Sequence, residues 1–173
     1  MQVLQAISAR YSVRSYQPRP VEPDKLERIL QAARLAPSAS NRQEWRFVVV
    51  QDEATRQELM AAAGGQKFVG EAPVVIAACA VHNGHVMACG QLCYPIDVAI
   101  ALAHIALQAV EEGLGTCWIG HCDEAEVKRM LGIPDTEGIR LIDLMTLGYA
   151  ADSPREKTRL PLDEIVMYEK WKQ

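Results

Sequence analysis

Apolar residues recur along this chain with two periods, and the switch between them divides it into elements. From Asp24 to Ala36, Leu26, Ile29, Leu30 and Ala33 return every three or four residues, the spacing of one helix face. Pro23 suits the first turn of that helix, and Pro37 ends it by disfavouring helical geometry at Ala36. Residues Trp45–Val50 are rich in β-branched side chains and predict a strand. Glu53–Ala63 reads as a helix stopped by Gly64-Gly65, and Pro73–Val81 is an unbroken apolar run, the pattern of a strand buried on both faces. Pro95 opens the longest apolar helix, Ile96 to Glu112, with Asp97 in its first turn to complement the dipole and Gly113 as its stop. Ala99, Ile100, Ala103, Ile105, Ala106, Leu107 and Val110 surround much of that helix, so it is expected to be largely buried. Gly115–Ile119 is a short strand or extended turn. Asp123–Glu126 resembles a capping box that starts a helix ending at Gly132, and Arg140–Gly148 is the last clear strand. Short helices are expected at the start, with Val3, Leu4 and Ile7 on one face, and over Glu164–Trp171, where a tail is the alternative. Helices and strands alternate without regular βαβ units, which predicts an α+β sandwich.

Composition narrows the class. The 173 residues fit one domain, 1–173, with a real core. Hydrophobic residues at 49% and charged residues at 23% are those of a soluble globular chain, and the net charge of −4 gives no support to a nucleic-acid partner. No apolar run is read as spanning a bilayer, and Met1–Ile7 is too polar for a signal-peptide core. The cysteines number five, which is odd, and are read as reduced thiols in a cytoplasm. No Gly-x-Gly-x-x-Gly follows a strand, so a dinucleotide-binding Rossmann unit is not expected.

Three segments carry candidate chemistry. In Ala36-Pro37-Ser38-Ala39-Ser40-Asn41-Arg42-Gln43-Glu44-Trp45, short hydrogen-bonding residues turn a helix end into a strand. Such a turn can offer backbone N–H groups and an amide to the edge of a flat heterocycle, or can be only a polar loop. Arg10, Ser12 and Arg14 fall on one side if their segment is extended, and two guanidiniums flanking a hydroxyl suit a phosphate. Lys157 and Arg159 repeat the spacing near the other end of the chain, and both pairs could converge on one anion. In Gly113-Leu114-Gly115-Thr116-Cys117-Trp118-Ile119-Gly120 the glycines permit a close backbone approach, or tight helix–strand packing with Trp118 as core.

The order of these motifs resembles the FMN-dependent nitroreductase family: Arg-x-Ser-x-Arg, Ala-Pro-Ser-x-x-Asn-x-Gln-x-Trp, an Asp-headed apolar helix ending Gly-Leu-Gly-Thr-Cys-Trp-Ile-Gly, then Leu-Gly-Tyr and Lys-x-Arg-x-Pro-Leu. The resemblance spans nearly the whole chain. It implies a three-layer α-β-α sandwich around a mixed or antiparallel sheet. It also implies a homodimer with FMN at the subunit interface, NAD(P)H as co-substrate and ping-pong transfer to a small organic acceptor such as a nitroaromatic, quinone or flavin. By that resemblance Arg10, Ser12, Lys157 and Arg159 hold the FMN phosphate, and Arg14 lies near the pyrimidine edge. Pro37, Ser38, Ala39 and Asn41 contact the ring or ribityl chain, and Ile119 and Gly120 supply backbone facing N5. Lys67 matches a further basic position near the ring. No catalytic side chain is implied.

Two features depart from the family pattern. Glu44 stands where a proline is usual and is read as a solvent-facing turn residue, and the chain between Val81 and Asp97 is too short for the insertion that covers the pocket in many relatives. That same stretch holds His82, His85, Cys89 and Cys93. Their spacing matches no standard zinc finger, so no bound metal is expected, with a metal-binding or sensor protein as one alternative. The other is a same-fold enzyme that fragments flavin or removes halogen. His104 is expected to be a satisfied buried histidine, Cys117 and Cys122 core or pocket wall, and His121 near the ring.

Overall fold

The computed structural model describes residues 1–171. In chain order its elements are α1 (Val3–Ala9), α2 (Pro23–Arg34), a 3-10 turn (Ala39–Asn41), β1 (Trp45–Val50), α3 (Glu53–Ala62), α4 (Lys67–Glu71), β2 (Val74–Val81), α5 (Cys93–Glu111), β3 (Gly115–Ile119), α6 (Glu124–Leu131), β4 (Ile139–Gly148) and α7 (Leu162–Ile165). The strands form one sheet in the order β1-β2-β4-β3, with every pairing antiparallel. The segment before α2 runs alongside the β3 edge through a parallel bridge between Ser12 and Thr116.

β2 explains the three layers. Its alternate residues Val74, Ile76, Ala78 and Ala80 join one core with Leu26, Ile29, Val98, Leu102 and Ile105, whereas Val75, Ala77 and Cys79 join another with Leu59, Val69 and Val127. A strand with helices on both faces has no solvent side, so its sequence is apolar without alternation. α2 and α5 therefore cover one face of the sheet, and α3, α4 and α6 the other.

Local chemistry fixes the ends. Asp123 caps α6 by accepting the Glu126 N–H at 2.9 Å, and Gly132 closes it in the left-handed region at φ 64°. α5 begins at Cys93, ahead of Pro95, because a proline is tolerated in the first turn, where the N–H is unpaired anyway. This moves Asp97 out of the first turn, so it does not complement that dipole. Half of α5 is buried, and Ile96 and Ala103 stay exposed. By length and composition α5 could cross a membrane, contrary to the reading that no run is long enough. The C-terminal helix is only Leu162–Ile165, earlier and shorter than expected.

A candidate anion and ring site

The two basic clusters meet. The segment 10–14 is tied to β3 by Val13, whose N–H donates to the Thr116 carbonyl at 3.0 Å. Gly115 makes that approach possible, since a Cβ there would lie 2.3 Å from Val13 Cγ2. The chain beyond β4 returns to the same place: Gln17 N–H donates to Tyr149 O and Ala151 N–H to Ser15 O, both at 2.9 Å. Asp152 then accepts from the Arg14 N–H at 2.9 Å and the Tyr11 hydroxyl at 3.2 Å. The Lys157 ammonium donates to the Ser8 carbonyl.

A cavity of about 250 Å³ results, lined by Arg10, Tyr11, Ser12, Arg14, Asp152, Ser153, Arg155, Glu156, Lys157, Thr158 and Arg159. Arg10, Arg14, Arg155, Lys157 and Arg159 outnumber the two carboxylates, and among the described residues none of the five is paired with a carboxylate within 4.0 Å. Elsewhere some basic residues are paired, as in Arg28 with Asp24 and Glu112, or Arg140 with Glu124, and others such as Arg56 and Lys25 are held by carbonyl oxygens. Cations in excess of carboxylates beside the Ser12, Ser153 and Thr158 hydroxyls suit a multiply charged oxyanion. Arg155, Asp152 and Ser153 were not singled out from sequence. Arg155 was legible, because it extends the alternation of Lys157 and Arg159 by one step.

Pro37, Ser38, Ala39 and Asn41 are not part of this cavity. They precede β1, on the edge of the sheet opposite β3, which is three strand spacings or roughly 14 Å away. Their loop is sharply turned: Ser40, Asn41 and Gln43 have φ of 50°, 54° and 52°, and Gln43 N–H donates to Ser38 Oγ at 3.0 Å. Asp97 of α5 accepts the Ala39 N–H at 3.1 Å. Glu44 does not face solvent as expected. It is 8% exposed, one of its oxygens lies 3.7 Å from Arg42, and the other has no hydrogen-bond partner among the described residues.

Ile119 and Gly120 lie at the end of β3, at the same end of the sheet as the turned loop and on the opposite edge. Ile119 N–H donates to Asp143 Oδ1 at 2.8 Å, and burial raises the Asp143 carboxyl above its ordinary range. The space beside the Gly120 Cα is open. His121 packs its ring on Gly64, where a Cβ would lie 2.7 Å from it, and Lys67 opens α4 outside the cavity. Trp118 is 37% exposed rather than core. Burial raises the thiols of Cys117 and Cys122, so neither is an activated thiolate. His104 is partly buried with Nδ1 3.2 Å from the Ala32 carbonyl.

His82, His85, Cys89 and Cys93 do not gather into a ligand set, and among the described residues no group of three or more His, Cys, Asp and Glu could hold a metal. His82 instead stacks on Tyr94 with centroids 3.8 Å apart, and its Nδ1 accepts the Gly84 N–H.

Known proteins resemble this chain in sequence and in fold. A sequence model of the nitroreductase family matches residues 7–80 and 60–149. A protein named NADH dehydrogenase from Thermus thermophilus is 33% identical, over 92% of this chain and 92% of its own. A nitroreductase family protein from Clostridium difficile superposes with a TM-score of 0.88 at 33% identity, covering 99% of this chain and 100% of that one. The NADPH:FMN oxidoreductase of Vibrio harveyi, solved with NAD+, superposes with a TM-score of 0.89 at 27% identity, covering 99% and 78%.

Proposed function

The chain belongs to the nitroreductase family, and from that premise we propose that it is an FMN-dependent NAD(P)H oxidoreductase that passes electrons to a small organic acceptor. The observation that carries the reading is the meeting of Arg10, Ser12, Lys157 and Arg159, far apart in sequence, at one cavity with unpaired cations.

These residues fit the group. Arg10, Arg155, Lys157 and Arg159, with the Ser12 hydroxyl, would hold the FMN phosphate, whose desolvation needs several cations to offset it. The Arg14 guanidinium makes no ion pair among the described residues and donates only to the Ser12 carbonyl at 3.4 Å, so its positive charge remains uncompensated and would stabilise negative charge at the pyrimidine edge. The chemistry that bound FMN supplies is two-electron transfer between a nicotinamide and the acceptor. The chain's part is to bind, orient and tune, and no side chain here is required as nucleophile or base.

The opposite placement of the two half-sites supports a homodimer. One copy carries the phosphate cluster and Gly120 on one edge of its sheet, and the Pro37–Asn41 turn on the other, so a second copy would complete the ring site with its own turn. Ile119 has committed its N–H to Asp143, which leaves Gly120 as the backbone facing the ring. Exposed apolar side chains supply a surface for association: Val3, Leu4 and Ile7 on α1, Ile96 on α5, and Leu160, Leu162, Ile165, Tyr168 and Trp171 toward the C-terminus. All five thiols are free, which agrees with a cytoplasmic site of action.

The test is optical. Freshly purified protein is expected to be yellow, with oxidised-flavin bands that bleach on adding NADH or NADPH without oxygen. A colourless protein that gains no such bands when supplied with FMN contradicts the proposal.

A further inference from the structure

Asp97 carries two costs that its own helix does not explain. It is 3% exposed, among the buried Cys93, Tyr94, Val98 and Ala101, and no cation lies within 4.0 Å of it among the described residues. A carboxylate in such a place is costly unless hydrogen bonds hold it. Its side chain meets one donor, the Ala39 N–H, at 3.1 Å from one oxygen and 3.2 Å from the other. The second cost lies in the loop that Ala39 opens. Ser40, Asn41 and Gln43 all occupy the left-handed region, where L-residues with side chains are strained, and none of them is glycine. The loop's internal bonds, Asn41 N–H to Ser38 O at 3.0 Å and Gln43 N–H to Ser38 Oγ at 3.0 Å, close it on itself. The Asp97–Ala39 bond is what ties it to α5.

We propose that Asp97 is a positioning residue for the cofactor: its carboxylate fixes the Ala39 N–H and so holds the Pro37–Asn41 turn in its binding shape before the flavin arrives. This rests on the flavin reading of that turn. A turn set in advance spares the ordering cost on binding, which gives both the buried charge and the strained backbone a use.

The experiment compares Asp97→Leu and Asp97→Asn with the parent, using the full chain. Three quantities are read: exchange of the Ala39 amide in the flavin-free protein, FMN affinity by fluorescence titration, and thermal midpoint. Leucine has nearly the shape of aspartate and suits the apolar surroundings, so the midpoint is expected to hold or rise. Ala39 exchange should speed up, and FMN affinity should fall about tenfold or more. Asparagine keeps a carbonyl acceptor for Ala39, and its FMN affinity should stay within about threefold of the parent. Unchanged FMN affinity in Asp97→Leu overturns the proposal, as does a loss that only tracks the midpoint. A parent that binds no FMN overturns the flavin reading itself. If Asp97→Leu does not fold, Ala39→Pro removes the donor from the other side of the bond, after a Ser38 already extended at φ −141° and ψ 156°. Weakened FMN binding there supports the proposal and unchanged binding overturns it.

Discussion

Lys128 is 5% exposed, and its ammonium reaches Glu124 at 3.2 Å, Asp135 at 3.3 Å and the Ile139 carbonyl at 2.7 Å. Asp135 is 86% exposed, so Glu124 is the partner that compensates the buried charge. Hydrogen bonds from Arg140, the Leu141 N–H and Lys128 hold the Glu124 carboxyl down at about 2. The sign follows from linkage: a carboxyl whose folded pKa lies below its unfolded value stabilises the fold above the unfolded value, and that stability is lost as pH falls through the folded one. Glu124→Gln is expected to lose about 2 kcal/mol of stability near pH 7. The gap to the parent should shrink between about pH 5 and pH 2, read by denaturant unfolding across that range. Residue-scale facts of this kind were the least legible in the sequence. Glu44 sits in a polar turn and was read as facing solvent, and Asp97 near a helix start was read as complementing the dipole. Each is buried by a segment distant in the chain, which no local pattern reports.

Elements were read well where periodicity is long. α2, β1, β2, β3, α6 and β4 fall within a few residues of their expected ends. α4 was missed, because Lys67–Glu71 is too short to express a period. The join of β3 to the segment 10–14 makes a prediction at this scale. Gly115→Ala would drive a methyl into Val13 and is expected to cost about 1–3 kcal/mol, with weaker FMN retention because Arg10, Ser12 and Arg14 move with Val13. Val13→Ala should restore most of both losses in the Gly115→Ala background. A double-mutant cycle in thermal unfolding and flavin content checks this, and simple additivity would show that the contact is not the cause.

At the scale of the molecule, the fold was legible as an α+β sandwich and the basic cluster as two pairs of cations, whose convergence no local pattern reports and only the family resemblance implied. That convergence depends on the return of residues 149–159 to the start of the chain, fixed by backbone bonds to Ser15 and Gln17 and by Asp152 on Arg14. The same return sets the basic cluster on the β3 edge, with the Pro37–Asn41 turn on the far edge of the sheet. The central claim is that distant cations gather on one phosphate, and the most direct measurement is FMN affinity with Arg10→Ala and Arg159→Ala combined, beside the thermal midpoint of the flavin-free protein. The account predicts a large loss of affinity, about a hundredfold, with the midpoint nearly unchanged, since neither side chain pairs with a carboxylate. Affinity equal to that of the parent would contradict it.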